Sequence, residues 1–244
     1  MATVDFVIAV LNEEHVLARS VETLRAFLCE RLPQHRWRIV VADNGSTDGT
    51  LAVAQGLAHQ HPGEVSVIHL PERGRGRALR KAWLESDAEV LAYMDVDLST
   101  EPEAVPFLVS AIAEEGYDVA TGSRLSAQSR TTRSPKREIT SRGYNLLIKL
   151  LFRTRFSDAQ CGFKVLSRRA AQELVPRIKN QEWFFDTELL ILAEKGGYRV
   201  KDIPVRWVED PDTRVKLMKT ILEDLRGLLR LRFTRIPKRT SGLS

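Results

Sequence analysis

The sequence predicts an α/β fold built on a mostly parallel sheet. Short β-type runs alternate with segments whose apolar residues recur at helical spacing, and the turns between them are short. Successive strand–helix–strand units need right-handed crossovers, which place the strands parallel in one sheet with helices on its faces. The length of 244 residues suits one such domain with a substantial core.

The alternation is regular over the first half of the chain. Residues 4–10 are almost wholly apolar, which predicts a buried strand, and residues 14–32 have apolar side chains every three to four positions, which predicts a helix. The same two patterns predict strands at 38–42, 65–70, 89–94 and 117–122 and helices at 50–61, 78–85 and 104–115.

The second half departs from this regularity. Residues 123–142 are polar, with six Lys/Arg and one Glu, which predicts a long loop of the kind that is usually functional or mobile. Beyond it the sequence predicts a helix at 144–152, a strand at 163–166, helices at 168–174 and 185–195, and a strand at 199–207.

The composition disfavours membrane-spanning and secreted classes of protein. The longest apolar run, residues 6–11, is far shorter than the roughly 20 residues of a spanning helix. The first residues lack the basic and apolar segments of a signal peptide. Cys29 and Cys161 make neither a disulfide framework nor a metal-binding spacing. We therefore expect a cytoplasmic protein.

The net charge of +5 is concentrated at the end of the chain. Residues 213–244 contain nine Lys/Arg and two acids, a net +7, which leaves −2 for residues 1–212. A basic protein suggests a nucleic-acid binder, but the near-neutral body and the lack of a reading helix in the expected fold disfavour that class. We therefore expect a domain at 1–212 and a basic tail at 213–244.

The tail is predicted to form an amphipathic helix. Apolar residues at helical spacing define one face: Met218, Ile221, Leu222, Leu225, Leu228 and Leu229. Mostly basic residues define the opposite face: Lys216, Lys219, Glu223, Arg226 and Arg230. Such a helix can lie in a membrane interface and be attracted by anionic lipids. The alternative is a helix packed on the domain or on a second subunit, with its basic face in solvent.

Polar residues follow the first two predicted strands. Asn12 and Glu14 come after strand one, and Asp43, Asn44 and Asp48 come after strand two. Ligands of open parallel sheets bind at the carboxyl ends of the strands, where Asp43 is an acceptor suited to a base or a ribose. The alternative is structural, with a tight turn at Asn44 and a helix cap at Asp48.

Two further turns complete this edge of the sheet. Residues 72–78 combine glycines with basic side chains, including Arg77, before a helix, which suits either phosphate contact or a solvated turn. Asp95 and Asp97 follow strand four and can point the same way, because strand side chains alternate. A divalent metal that also holds substrate phosphates would relieve their repulsion; the alternative is that Asp97 caps the next helix. Together the four turns predict a sugar-nucleotide site.

On these residues the sequence resembles the family-2 glycosyltransferases of GT-A fold, and among them the polyprenyl- and dolichyl-phosphate sugar synthases. The resemblance runs from about residue 4 to 207, with matching motifs at 11–14, 43–50, 74–78, 95–99, 122–124, 158–164 and 183–188. The stretch Asp-Ala-Gln-Cys-Gly-Phe-Lys at 158–164 is most similar to dolichyl-phosphate glucosyltransferases, which implies UDP-glucose or a related UDP-sugar as donor. Arg77 replaces a Lys that is frequent in the family, with the charge kept.

The resemblance implies roles for individual residues. The nucleotide pocket would be lined by Val10, Asn12, Glu14, Asp43, Asn44, Asp48, Arg77 and Asp95. Asp95 and Asp97 would hold Mg²⁺ or Mn²⁺, Asp97 directly, and Gln160 would lie close to the sugar. Asp186 is the candidate catalytic base.

A lipid-phosphate acceptor suits the basic stretch. A phosphate monoester is already an oxyanion near neutral pH, since its second pKa is about 6, so cations that orient it matter more than a base. Arginine binds phosphate in a bidentate manner. We expect Arg124 and Arg137 foremost, with Arg133 and Arg142, to hold the acceptor phosphate; the alternative is a solvated basic surface.

The sequence therefore predicts an inverting, metal-dependent hexosyltransferase that moves a sugar from a nucleotide sugar to a polyprenyl phosphate. We expect it to lie peripherally at the cytoplasmic membrane face. An integral membrane partner or an oligomer is compatible with this expectation, and nucleic acid is not expected as a partner. Two alternatives are a GT-A enzyme with a soluble acceptor, such as a secondary metabolite or saccharide, and a non-catalytic, membrane-docking nucleotide-sugar-binding protein. The intact Asp95–Asp97 pair disfavours the second.

Overall fold

The structure, a computed structural model, describes residues 1–132, 134–208 and 217–239. Strands β1 to β9 are Thr3–Val10, Arg36–Asn44, Val65–Leu70, Val90–Met94, Val119–Ser123, Arg130–Thr132, Phe163–Ser167, Val200–Pro204 and Arg206–Val208. Helices α1 to α8 are Leu17–Arg31, Thr50–Gln60, Arg75–Glu85, Val105–Ala113, Pro135–Phe152, Arg168–Leu174, Phe185–Gly196 and Leu217–Arg232.

Seven strands form the main sheet, in the order β3-β2-β1-β4-β7-β5-β8. Strand β1 is parallel to β2 and β4, β2 to β3, and β5 to β8, so the predicted mostly parallel α/β sheet is confirmed. Strand β7 runs antiparallel to both of its neighbours, and Phe163 at its start pairs with Met94 at the end of β4. The residues just before β7 therefore reach the same edge as those just after β4.

Apolar side chains cover both faces of this sheet. Along β1, Phe6 and Ile8 point to one face and Val7 to the other, as the alternation of a buried strand requires. Helices α1, α2 and α4 pack on the first face, and α3, α5, α6, α7 and α8 on the second. In sheets of this kind ligands bind at the carboxyl ends of the strands, which are here the ends of β1, β2 and β4.

The predicted long loop at 123–142 is wrong. Strand β6 pairs in parallel with β9 as a small second sheet, and α5 begins at Pro135, where the fixed φ and missing N–H of proline suit a first helical turn. The predicted strand at 199–207 also divides, because β8 ends at Pro204 in the main sheet whereas β9 belongs to the second. Both differences come from pairing between segments that are distant in the chain.

Helix α8 is packed onto the domain. Leu228 and Leu231 are buried and join the apolar cluster of α5 and α7. A Cβ at Gly227 would lie 2.3 Å from the Phe184 ring, so a larger residue at this position would force the helix away. The boundary predicted between 212 and 213 lies outside the described residues and stays a prediction.

The apolar residues predicted to share one face of this helix are divided between its two sides. Leu228 is buried, whereas Leu222, Leu225 and Leu229 are 52%, 40% and 59% exposed. The inward side of the helix carries Asp224, Leu228 and Leu231, so the apolar arc of the sequence does not coincide with the buried side. The side chains of Lys216, Met218 and Lys219 lie outside the described residues. No helix in the described parts of the chain is long and apolar enough to cross a membrane.

Candidate active site

The turns after β1 and β2 hold each other in place. Asn12 has a φ of +57°, and its Oδ1 accepts a hydrogen bond at 2.8 Å from a backbone amide in the turn after β2. The Glu14 carboxylate accepts another at 2.7 Å from the same turn. Asp48 accepts bonds from the Thr50 amide and hydroxyl at 3.0 and 2.6 Å, but the N-cap position of α2 is Gly49 and not Asp48. Nucleotide contacts by these three residues stay predictions.

Two buried side chains close the end of β2. The Asp43 carboxylate lies 2.7 Å from Nδ1 of His69, which is half-exposed at the rim. Asn44 donates to the Val10 carbonyl at 2.6 Å and accepts from the Gly74 amide at 3.2 Å. The side-chain amide of Asn44 is thus bonded to backbone at both ends. Asp43 is fully buried and reaches the rim only through its His69 partner. Nucleotide contacts by Val10, Asp43 and Asn44 stay predictions.

Asp95 and Asp97 lie at the carboxyl end of β4, as predicted. Asp97 is exposed, and its Oδ1 accepts a hydrogen bond from the Ser99 amide at 2.9 Å. The Asp95 amide donates to the Gly162 carbonyl at 3.1 Å, and a Cβ at position 162 would lie 1.6 Å from the Asp95 carboxylate. Gly162 therefore lies directly against this carboxylate, where a side chain would displace it.

A cluster of charged and polar side chains lies behind Asp95. Arg75 places Nη1 at 2.6 Å from Asp186 and Nη2 at 3.1 Å from Asp95 and 2.7 Å from the Tyr93 hydroxyl. Lys164 Nζ lies 3.3 Å from Asp186, and the Tyr93 hydroxyl donates to Asp186 at 2.8 Å. We call Arg75, Tyr93, Asp95, Lys164 and Asp186 the buried charge cluster; its two cations balance its two carboxylates.

The pKa of Asp186 argues against its predicted role as a base. Burial raises this pKa, but the Arg75 and Lys164 cations outweigh the burial and hold the pKa below its usual value. A carboxylate whose ionised form is stabilised by two cations is a weak base. The structure thus disfavours Asp186 as a general base and makes it the anchor that holds Arg75.

For Asp95, burial raises the pKa. Arg75 opposes this effect, and the neighbouring Asp97 carboxylate adds to it. The charges around Asp95 thus compensate its burial only in part.

Arg124 is paired with a buried carboxylate at the end of β5. Its Nε and Nη2 donate to the two Asp158 oxygens at 2.7 and 2.9 Å, and both side chains are largely buried. Burial lowers the pKa of Arg124, and Asp158 more than reverses this. This bidentate edge of Arg124 is occupied by a carboxylate, and the pair ties the end of β5 to the residues before β7. The acceptor-phosphate and catalytic roles of Arg124 stay predictions.

The other predicted acceptor-phosphate residues lie on helix α5 or outside the described residues. Arg142 is exposed and pairs with Glu138 one turn earlier, an arrangement that contributes little stability and leaves the guanidinium accessible. Arg137 is half-buried on the same helix. Arg133 lies outside the described residues. The phosphate role of all three stays a prediction.

Three members of the buried charge cluster, Arg75, Tyr93 and Lys164, were not predicted from the sequence. The Gly-Arg motif indicated Arg77, but Arg77 pairs with Glu72 at the surface, and Arg75 enters the cluster. Because α3 begins at residue 75 and not at 78, these two arginines are about 200° apart around the helix and face opposite sides. Tyr93 and Lys164 were visible in the sequence only as a strand residue and a motif residue.

The donor set fits a divalent metal that is shared with a substrate. Within residues 1–132, 134–208 and 217–239, no group of three or more His, Cys, Asp or Glu is placed to hold a metal ion. Asp95 and Asp97 provide two carboxylates at one edge. Mg²⁺ is commonly bound by one or two carboxylates, with substrate phosphates and water completing the octahedron. The residues present therefore fit Mg²⁺ or the similar Mn²⁺.

Comparison with known proteins identifies the class that this fold and site define. Residues 5–175 match the family Glycosyl transferase family 2, and the chain belongs to that family. A crystal structure of glucosyl-3-phosphoglycerate synthase from Mycobacterium tuberculosis with Mn²⁺, UDP-glucose and phosphoglyceric acid has a TM-score of 0.71 at 19% identity, and the match covers 99% of this chain and 83% of that one. This likeness confirms the predicted GT-A fold.

Two curated relatives place the chain more closely. It is 37% identical over 210 residues to Glycosyltransferase AglD of Haloferax volcanii, covering 86% of this chain and 33% of that protein. It is 33% identical over 215 residues to a dolichyl-phosphate beta-glucosyltransferase of Drosophila melanogaster, covering 83% of this chain and 66% of that protein. The chain thus spans a third of the first relative and just under two thirds of the second. The predicted likeness to dolichyl-phosphate glucosyltransferases is confirmed.

Proposed function

We propose that this protein is a metal-dependent hexosyltransferase that moves a sugar from UDP-glucose or a related UDP-hexose to a polyprenyl phosphate. The observation that carries the proposal is the Asp95–Asp97 pair, set against residues 158–162 and backed by Arg75. The dolichyl-phosphate glucosyltransferase relative supports the acceptor class, and the UDP-glucose complex of the similar structure supports the donor.

The residues of the site divide the task of transfer. Asp95 and Asp97 would hold Mg²⁺ or Mn²⁺, and the metal would neutralise charge on the departing diphosphate. Asp186 holds Arg75, and Arg75 holds Asp95, so the carboxylate orientation is fixed before substrate binds. Arg137 and Arg142 would orient the acceptor phosphate.

The acceptor chemistry is consistent with the absence of a strong base at Asp186. A phosphate oxyanion attacks the anomeric carbon from the face opposite the UDP, the bond to UDP breaks, and its electrons leave on the diphosphate. No proton has to be removed from the nucleophile, because a phosphate monoester is ionised near neutral pH, with a second pKa of about 6. The ion-paired state of Asp186 is compatible with this reaction.

A labelled-sugar assay tests the proposal. We expect the protein, incubated with labelled UDP-glucose, polyprenyl phosphate and Mg²⁺ or Mn²⁺, to form label that extracts into organic solvent, and chelator to abolish it. Parallel reactions with other UDP- and GDP-hexoses identify the donor. Label that appears only on a soluble acceptor, or no label with any donor, would refute the polyprenyl-phosphate assignment.

We propose further that α8 places the protein on a membrane surface from the cytoplasmic side. Leu222, Leu225 and Leu229 form an exposed apolar stripe on the outward side of the helix, and Phe233 beyond it is 85% exposed. Arg226 lies exposed beside the stripe. Apolar side chains flanked by cations suit insertion into an interface that contains anionic lipids.

Co-sedimentation with vesicles that contain phosphatidylserine checks this surface. We expect the triple variant Leu222→Ser, Leu225→Ser and Leu229→Ser to lower the bound fraction at least severalfold, since roughly 1.5–3 kcal/mol accompanies burial of each leucine. Phe107→Ser is the matched control, because Phe107 is 65% exposed on α4 at the other face of the sheet. Equal binding by the triple variant and wild type would remove the membrane role of the stripe.

A further inference from the structure

Helix α8 carries a carboxyl group on its buried side. Asp224 is 4% exposed, and its Oδ2 accepts a hydrogen bond from Nε2 of Gln160 at 2.9 Å. The hydroxyl of Tyr144 on α5 faces the same carboxyl. The other carboxyl oxygen of Asp224, Oδ1, is buried and has no hydrogen-bond partner among the residues that the structure describes. A buried and incompletely paired carboxyl destabilises the fold, so its position calls for a role other than packing.

Gln160 lies at the edge of the sheet where the metal carboxylates are. It precedes Cys161 and Gly162, the second of which presses on Asp95. Its backbone amide donates to Asp158 at 3.2 Å, and the Cys161 carbonyl accepts from Lys164. These hydrogen bonds fix the backbone at this point. The side-chain amide of Gln160 can still turn over, so something else has to fix which end faces which neighbour.

An ionised carboxylate can determine that orientation. A glutamine amide has a donor end and an acceptor end, whereas an ionised aspartate only accepts. Asp224 therefore selects the Nε2 end of Gln160 and leaves Oε1 as the end available to a ligand.

We propose that Asp224 is a positioning residue that holds Gln160 so that Oε1 accepts a hydrogen bond from a hydroxyl of the transferred sugar. This inference rests on the proposed function, because it takes the edge beside Asp95 as the place of the donor sugar. It gives α8 two sides with different tasks: an outward stripe toward lipid and an inward carboxyl toward the donor.

Protonation of Asp224 removes the selection. Burial raises the pKa of Asp224 to about 7; Glu223 beside it and Asp186 on α7 also raise it, whereas Tyr144 and Gln160 lower it. A protonated Asp224 can donate to Oε1, which allows the amide to turn over and present Nε2 to the sugar. The preference for the sugar is therefore expected to weaken as the pH falls through 7.

Calorimetric titration with UDP and with UDP-glucose in Mn²⁺ isolates the contribution of the sugar. The quantity to compare is the Kd for UDP divided by the Kd for UDP-glucose. At pH 8 we expect Asp224→Leu to lower this ratio about fivefold to tenfold, the effect of one hydrogen bond of about 1–1.4 kcal/mol, with the Kd for UDP itself unchanged. Gln160→Ala is expected to lower it equally, and the double variant no further.

Two more variants separate positioning from a structural effect. Asp224→Asn keeps the side-chain size but cannot ionise, so the fall of the ratio between pH 8 and pH 6 seen in the wild type is expected to vanish. Glu223→Gln, the neighbouring acid, is expected to leave the ratio at the wild-type value. The inference is wrong if Asp224→Leu leaves the ratio unchanged. It is also wrong if the double variant lowers the ratio by the product of the two single effects. Either result overturns the inference even if the labelled-sugar assay succeeds. A wild type that does not bind UDP-glucose overturns both this inference and the donor assignment.

Discussion

Replacement of Asp97 by alanine is expected to reduce the rate of sugar transfer about 1,000-fold or more, because charge on the departing diphosphate then lacks a properly held cation. The loss is expected in kcat and in Mn²⁺ affinity, with the melting temperature nearly unchanged. Asp97 is exposed, and its one described hydrogen bond, to the Ser99 amide, is local. Transfer kinetics and a Mn²⁺ titration measure the two effects.

Asp87→Ala is the matched control for this variant. Asp87 lies just before β4, at the opposite end of the strand from Asp97, and its side chain is 88% exposed with Arg38 at 3.8 Å. Transfer by Asp87→Ala is expected to equal that of the wild type. If Asp97→Ala retained wild-type kcat and Mn²⁺ affinity, the assignment of Asp97 as a metal ligand would be wrong.

Arg75→Met is expected to destabilise the protein by about 3–5 kcal/mol, because it leaves Asp186 with one buried cation and removes the guanidinium that bonds to Asp95. Methionine keeps most of the length of arginine and removes the charge. Urea unfolding measures the loss. Adding Asp186→Asn to Arg75→Met is expected to restore part of the stability, since the second variant removes the carboxylate that the first leaves poorly compensated.

Arg77→Met, two residues along the same helix, is the comparison. Arg77 pairs with the largely exposed Glu72, and an exposed pair contributes less than about 1 kcal/mol. The unfolding midpoint of Arg77→Met is therefore expected to stay near that of the wild type. Its affinity for UDP is expected to fall if Arg77 contacts the nucleotide, as the family resemblance implies. Equal midpoints for Arg75→Met and the wild type would show that the buried charge cluster is not a unit of stability.

The fold was predictable where local pattern decides it. The strand Val65–Leu70 and the helix Arg168–Leu174 have the bounds that the sequence indicates, because turn residues flank both. The direction of β7 was not predictable, since it depends on pairing with β4 and β5 and not on its own residues. The same is true of β6, which exists through its pairing with β9.

The candidate site shows the same division between local and distant information. Asp95 and Asp97 could be recognised because both follow one apolar strand. The Arg75–Asp186 pair joins residues 111 positions apart, and no periodicity in either segment indicates it. The pairing of Arg124 with Asp158 likewise links distant positions, so a basic residue that looked available in the sequence is engaged in the fold.

Strand β7 has a consequence for how the chain is made. It lies between β4 and β5, although both precede it in the chain. A nascent chain that has emerged only as far as β5 therefore has two bare strand edges where β7 will later insert, and bare edges favour pairing with other chains. The four strands from β3 to β4 can assemble as they leave the ribosome. The edge of the sheet that carries the candidate active site is complete only when β7, which follows both of its neighbours in the chain, has left the ribosome.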